Sequence, residues 1–283
     1  MAAARLSGGP CTTRLKARRM LLRHLPMIHT QVLPLRVAAL TIAATLLVAT
    51  PALEASAAPP NFPGSVLLIG NSFLRGIRRP LVLMFRERGH RLKIKQNGPN
   101  AWTLAKHVAS RRTQKRINKL AWDVIVLQEL ADRFDTERYA DARILDQRIK
   151  ENGAETMFFM TWRDRGEPLE SFDSLRGEPG GSEGYVPIAD ELGARIAPVG
   201  WAVRDSLASG LPYDLWRDGH HLNGPGRYLA ACVFFAALTG DSPVGNYGPR
   251  SIPPSQLAYI QQLAADTVLD DPSQWYVTPA TPE

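Results

Sequence analysis

Two rhythms of hydrophobic positions alternate along the chain. Short apolar or β-branched runs predict strands at Ser65–Ile69, at 123–128 ("DVIVLQ") and within "ETMFFMTW", which starts at Glu155. Arg91–Gln96 alternates apolar and polar and reads as a second strand in chain order, and Ala197–Val199 as a short fifth. Between them the spacing is helical. Pro80 to Arg88 has proline near its start and Gly89 after its end. Thr103–Leu120 reads as one helix, polar on one side, and Asp135–Asn152 as another, stopped by Gly153. Gly224–Gly240 and Pro254–Leu269 hold the last helices. Strands alternating with helices predict an α/β fold, a parallel sheet covered on both faces. In such sheets ligands bind beyond the carboxyl ends of the strands. Gly70-Asn71-Ser72, Gln128 and Thr161-Trp162 fall there, and the Gly-rich stretch "RGEPGGSEG", Arg176 to Gly184, is expected to border the same edge.

The first 57 residues break this pattern. A basic segment precedes an uncharged apolar run from Val37 to Thr50, and Ala55-Ser56-Ala57 has the small residues of a cleavage site. Residues 1–57 therefore read as a secretory leader, with Met20 or Met27 as alternative starts, and 58–283 as one domain. The apolar run is short for a membrane span, so no stable span is expected after processing, with an uncleaved N-terminal anchor as the alternative. The expected location is secreted or periplasmic.

The leader changes the meaning of the charge. The whole chain carries +7, with 34 basic and 27 acidic residues. Seven of the basic residues and one acid lie in the leader, which leaves +1. That balance gives no support for nucleic-acid binding. "RRTQKRINK", Arg111 to Lys119, reads as a solvated helix face. Cys232 is the one cysteine after the leader; it excludes an internal disulfide there and reads as a small core residue.

Candidate chemistry starts at Ser72, which follows a strand and a glycine that can turn sharply. A serine hydroxyl becomes a nucleophile when a base takes its proton and a third group orients the base. Beyond the leader there are four histidines: His90, His107, His220 and His221. His107, on a helical stretch, reads as structural and partly exposed. His220 and His221 follow Asp218 in "LWRDGHHLNGPGRYLAA", where a tight Asp-Gly turn can bring the carboxylate against an imidazole. No ligand cluster for a metal is visible.

These two blocks, Gly70-Asn71-Ser72 after the first strand and Asp218-Gly219-His220-His221 before a late helix, resemble those of the SGNH, or GDSL, hydrolase superfamily. The resemblance spans residues 64–240. Asn71 stands where the usual aspartate is, and Phe73 where the usual leucine is. The resemblance implies a three-layer α/β/α sandwich with a flavodoxin-like, five-stranded parallel sheet in the order 2-1-3-4-5. It implies ester hydrolysis through an acyl-serine, with Ser72 as nucleophile, His221 as base and Asp218 holding the imidazole, and with no cofactor. Its oxyanion donors would be the Ser72 N–H, a backbone N–H after the second strand and a side-chain amide after the third. Ala101 fits the second position, with Gly98 as alternative. Gln128 fits the third, with Asp132 in the same region.

The expected substrate is a small ester or an acylated glycan, with Trp102 placed to stack on a sugar ring. A non-catalytic glycan-binding module on the same fold is the alternative. An α/β-hydrolase lipase is excluded, because Gly70-Asn71-Ser72-Phe73-Leu74 lacks the second glycine of G-x-S-x-G.

Overall fold

Among the described residues five parallel strands form one sheet, in the order β2-β1-β3-β4-β5. They are β1 (Ser65–Ile69), β2 (Lys93–Asn97), β3 (Val124–Leu127), β4 (Glu155–Phe159) and β5 (Arg195–Ala197). The computed structural model describes residues 62–129 and 134–278. The leader reading and Asp132 lie outside the described residues. The helices are α1 (Arg78–Glu87), α2 (Leu104–Ala109), α3 (Arg111–Ile117), α4 (Thr136–Glu151), α5 (Asp173–Arg176), α6 (Val186–Leu192), α7 (Val199–Ala208), α8 (Gly224–Thr239) and α9 (Pro254–Leu269).

The strand sequences explain the layering. Every residue of β3 is buried, as are Val66 to Ile69 of β1. Strands apolar on both faces need helices on both faces. On one side α1 packs on α8, and α8 on α7 and α9; on the other α4 packs on α2 and α6. Tyr228 to Thr239 of α8 are all buried, which accounts for the near-continuous apolar run there. Cys232 lies among them as a free, buried thiol, and burial pushes its ionisation well above the ordinary range. Among the described residues no helix is long and apolar enough to cross a membrane.

The predicted helix over Thr103–Leu120 is two helices. Ser110 takes an extended conformation between α2 and α3, and its hydroxyl accepts from the Thr113 N–H at 3.3 Å. Serine competes well as an N-cap, and here it starts a second helix within an otherwise helical pattern. The short helices α6 and α7 were not legible as separate periodic segments. α7 follows β5 immediately, and Gly200 at its start lies so close to the Thr161 carbonyl that any Cβ would collide. The Gly-rich loop folds back on itself. Gly177 and Gly184, both at positive φ, bring the two arms together, and the Gly184 N–H reaches the Phe134 carbonyl at 2.7 Å. The loop thereby braces the start of α4, where the Thr136 N–H donates to the Ser182 carbonyl.

Candidate active site

The carboxyl end of β1 delivers Gly70-Asn71-Ser72 into a turn held from three sides. A Cβ on Gly70 would meet the Gln128 Cβ at 2.7 Å, so only glycine allows this approach. The Gly70 N–H donates to the Asn97 carbonyl at 3.1 Å, and His107 Nε2 donates to the Gly70 carbonyl at 2.8 Å. Asn71 is fully buried with its polar groups engaged. Its N–H donates to Gln128 Oε1 at 2.7 Å and its Nδ2 to the Trp102 carbonyl at 3.2 Å. Its Oδ1 accepts from the Phe73 N–H at 3.1 Å and so caps a 3-10 turn over Ser72–Leu74. An aspartate here could not donate to the Trp102 carbonyl while ionised, so the asparagine ties the nucleophile turn to the loop after β2.

The second block is a loop whose ends meet at the antiparallel bridge between Trp216 and Leu222, with Gly219 at positive φ near its tip. Asp218 organises it from within. Its Oδ1 accepts the backbone N–H of His220 at 3.2 Å and of His221 at 2.7 Å. The His221 Nδ1 lies 3.2 Å from each Asp218 carboxylate oxygen, and its Nε2 lies 2.9 Å from Ser72 Oγ. With Nδ1–H facing a carboxylate, Nε2 is the acceptor for the serine proton. The hydrogen bond from the His221 N–H, followed by those from the Arg217 guanidinium, holds the Asp218 carboxyl well below the usual carboxylate range. Asp218 is therefore an anion throughout the neutral range.

His220 faces elsewhere. Its Nδ1 pairs with Asp164 Oδ1 at 2.6 Å, and its carbonyl accepts from Trp162 Nε1 at 2.9 Å. Trp162 is buried and stacks on Phe73 with ring centroids 4.6 Å apart, while Phe73 meets the His221 ring edge-on. The aromatic at position 73 thus packs against both blocks at once. Trp162, which follows β4, is a core residue, and its indole N–H fixes the histidine loop.

Two expectations are corrected. Gln128 is fully buried beneath the turn; Oε1 is taken by Asn71, and Nε2 donates to the Glu129 carbonyl. It braces the nucleophile turn and does not present its amide to the space above Ser72. Glu129, also buried, accepts the Leu104 N–H through Oε2 at 3.0 Å and so couples the end of β3 to the start of α2. His107 is fully buried where partial exposure was expected. Its Nδ1 meets the Thr113 hydroxyl at 3.0 Å, and Thr113 in turn accepts from Asn97 Nδ2 at 2.8 Å. Burial, opposed by the hydrogen bond to the Gly70 carbonyl, lowers the pKa of His107 below the ordinary 6.5. The neutral ring, with Nε2 protonated, satisfies every partner.

Ala101 sits at φ 52°, a left-handed conformation that favours glycine. Its N–H has no protein acceptor among the described residues, and neither has that of Ser72. Trp102 is half-buried with its ring 5.0 Å from the His107 ring. The spacing "NAWTLAKH" thus presents Ala101 and Trp102 at the surface and sends His107 back under the turn.

No protein-family model matches the sequence. No curated protein matches it either. Solved structures do match. A DUF4886 family protein from Bacteroides uniformis is 23% identical over 72% of this chain and 94% of its own, with a TM-score of 0.60. A proposed SGNH hydrolase from Slackia heliotrinireducens is 22% identical over 60% of this chain and 96% of its own, TM-score 0.44. Axe2, an acetylxylan esterase from Geobacillus stearothermophilus, is 14% identical over 62% of this chain and 93% of its own, TM-score 0.47. The likeness to the Bacteroides uniformis protein is one of fold, and the sheet of this chain runs in the order 2-1-3-4-5 that the sequence resemblance implied.

Proposed function

We propose that the protein is an exported serine ester hydrolase that removes short acyl groups, acetyl first, from a carbohydrate alcohol. The reading rests on one observation above all: His221 Nε2 lies 2.9 Å from Ser72 Oγ while its Nδ1 faces the ionised Asp218. In this reading Ser72 Oγ attacks the ester carbonyl as its proton passes to His221 Nε2. The Ser72 and Ala101 N–H groups, both without protein acceptors among the described residues, stabilise the oxyanion. The imidazolium, held by Asp218, gives its proton to the leaving alcohol, and the acyl-serine is released by water through the same steps. Export follows from the basic and apolar leader, and a sugar ring on the half-buried Trp102 would place its acyl group near Ala101. The acetylxylan esterase activity of Axe2 belongs to that protein, and its likeness to this chain is one of fold.

A fluorophosphonate probe tests the chemistry. It should label Ser72 in the purified protein, and Ser72→Ala should lose the label and about 10⁴–10⁶-fold in turnover of p-nitrophenyl acetate while folding normally. Activity within a few-fold of wild type would exclude Ser72 as nucleophile. Binding of acetylated sugars without any labelling would favour the non-catalytic module.

A further inference from the structure

The residues that follow the nucleophile are strongly basic. "RGIRRP", Arg75 to Pro80, carries three arginines and no acid. The Arg75 N–H donates to the Ser72 carbonyl at 3.1 Å, and the Arg75 side chain, exposed, reaches Asn100 Oδ1 beside Ala101. Arg217 comes from the histidine loop, where Nη2 and Nε donate to Asp218 Oδ2 at 2.6 and 3.1 Å. Arg227, from the first turns of α8, lays its side-chain stem over Gly76; the positive φ of Gly76 (85°) and its missing Cβ make that contact possible. The Arg227 guanidinium has no ion-pair partner among the described residues. Burial first, then the positive charges of Arg217 and Arg75, depress its pKa, with Asp218 acting the other way. Three arginines therefore border the nucleophile turn and the histidine loop, where Asp218 is already engaged by His221 and Arg217, and Asp164 by His220. A groove of about 490 Å³ lined by Gly76, Arg78, Arg79, Val82 and Leu83 shares Gly76 with this cluster, and its walls are mostly apolar.

A guanidinium that has no ion-pair partner among the described residues and borders the nucleophile turn can hold an anionic group of the substrate. We propose that Arg75, Arg217 and Arg227 form an anion-recognition site beside Ser72, and that the preferred ester carries a carboxylate or phosphate near its scissile bond. This deepens the esterase reading and rests on it. Arg227 is the central residue, since it is partly desolvated and has no ion-pair partner among the described residues, and a guanidinium in that state gains most from a planar or tetrahedral anion. Arg75 and Arg217 flank it, the first bridging toward the Ala101 loop and the second toward Asp218.

Two measurements test this separately. On the full chain, kcat/KM is compared for phenyl acetate, 4-acetoxybenzoate and 4-acetoxyphenyl phosphate, each with wild type, Arg227→Gln and Arg227→Lys. Arg227→Gln should lose about ten-fold or more on the anionic esters relative to its loss on phenyl acetate, and Arg227→Lys should retain much of the preference. The two anionic esters report which anion the site favours. Raising salt to 1 M should shrink the preference as well. Equal losses on neutral and anionic esters in folded Arg227→Gln would overturn the site. The second measurement needs no turnover: calorimetric binding of benzoate and phenyl phosphate to Ser72→Ala, against benzyl alcohol. Anion binding that Arg227→Gln weakens ten-fold supports the site even if wild type hydrolyses no ester, in which case only the esterase reading fails. No binding advantage for the anions over benzyl alcohol overturns the site even if esters are cleaved.

Discussion

Arg217 and His221 share one carboxylate. Arg217 Nη2 donates to Asp218 Oδ2 at 2.6 Å, while His221 Nδ1 lies 3.2 Å from both oxygens of the same group. The guanidinium is therefore a competitor for the charge that would stabilise the imidazolium. Arg217→Gln removes that competitor and leaves Asp218 Oδ2 to the imidazole. Because the Arg217–Asp218 pair is exposed, the variant should fold normally and its turnover of p-nitrophenyl acetate should change by less than about ten-fold. A loss in folded Arg217→Gln as large as that of His221→Ala would show that the loop geometry depends on Arg217.

The two adjacent histidines should separate cleanly. His221→Ala removes the acceptor facing Ser72 and should cost on the order of 10⁴-fold or more in turnover. His220→Ala removes a ring paired with Asp164, both well exposed, while the carbonyl held by Trp162 remains. It should keep most of the activity and lose stability by no more than about 1 kcal/mol. A His220 variant that is folded and the more impaired of the two would reverse the assignment.

Gln128 now predicts a different phenotype from that of an oxyanion donor. Gln128→Ala leaves the buried Asn71 N–H without its acceptor and opens space against Gly70. The expected cost is about 1–3 kcal/mol for the stranded N–H, with a cavity contribution added. Thermal unfolding should register that loss, and kcat should fall with it as the turn loosens. A lowered kcat at unchanged melting temperature would return the amide to the oxyanion.

The order of the strands and both chemical blocks were legible because they depend on local pattern. "VLLIGNS" has strand apolarity followed by a glycine turn, and "DGHH" closes its own loop through Asp218 Oδ1. What stayed hidden depends on burial and on contacts between segments far apart in sequence. Gln128 reads identically whether its amide faces a substrate or lies under Asn71, and only the close approach of Gly70 decides. The stacking of Phe73 on Trp162 likewise joins residues far apart in the chain. Asn71 had a local signal that could have been used: an Asx residue two positions before a short apolar turn is a cap. Ser110 had a related signal, a hydroxyl three residues before the N–H it caps, and it divides what periodicity alone merges into one helix.

His107 gives the fold a pH dependence of its own. The ring is fully buried and neutral, with Nε2 donating to the Gly70 carbonyl and Nδ1 accepting from Thr113. Its folded pKa lies below the ordinary 6.5 because burial disfavours the charged form. In the unfolded chain it takes up a proton as the pH falls through about 6.5. The unfolded state then binds more protons than the native one, so stability falls with pH from that point, until the native ring is protonated too. The sign is opposite to that of a histidine gaining an anionic partner, whose contribution is present at low pH and lost as the pH rises. His107→Gln keeps a donor near Gly70 and removes the titration. It should lower stability at pH 8 by about 1–3 kcal/mol, since geometry and packing are imperfect. It should also flatten the decline of stability between pH 7 and pH 5. Urea unfolding of both proteins across that range reads the slope, and parallel curves for wild type and variant would mean that His107 is not the titrating group.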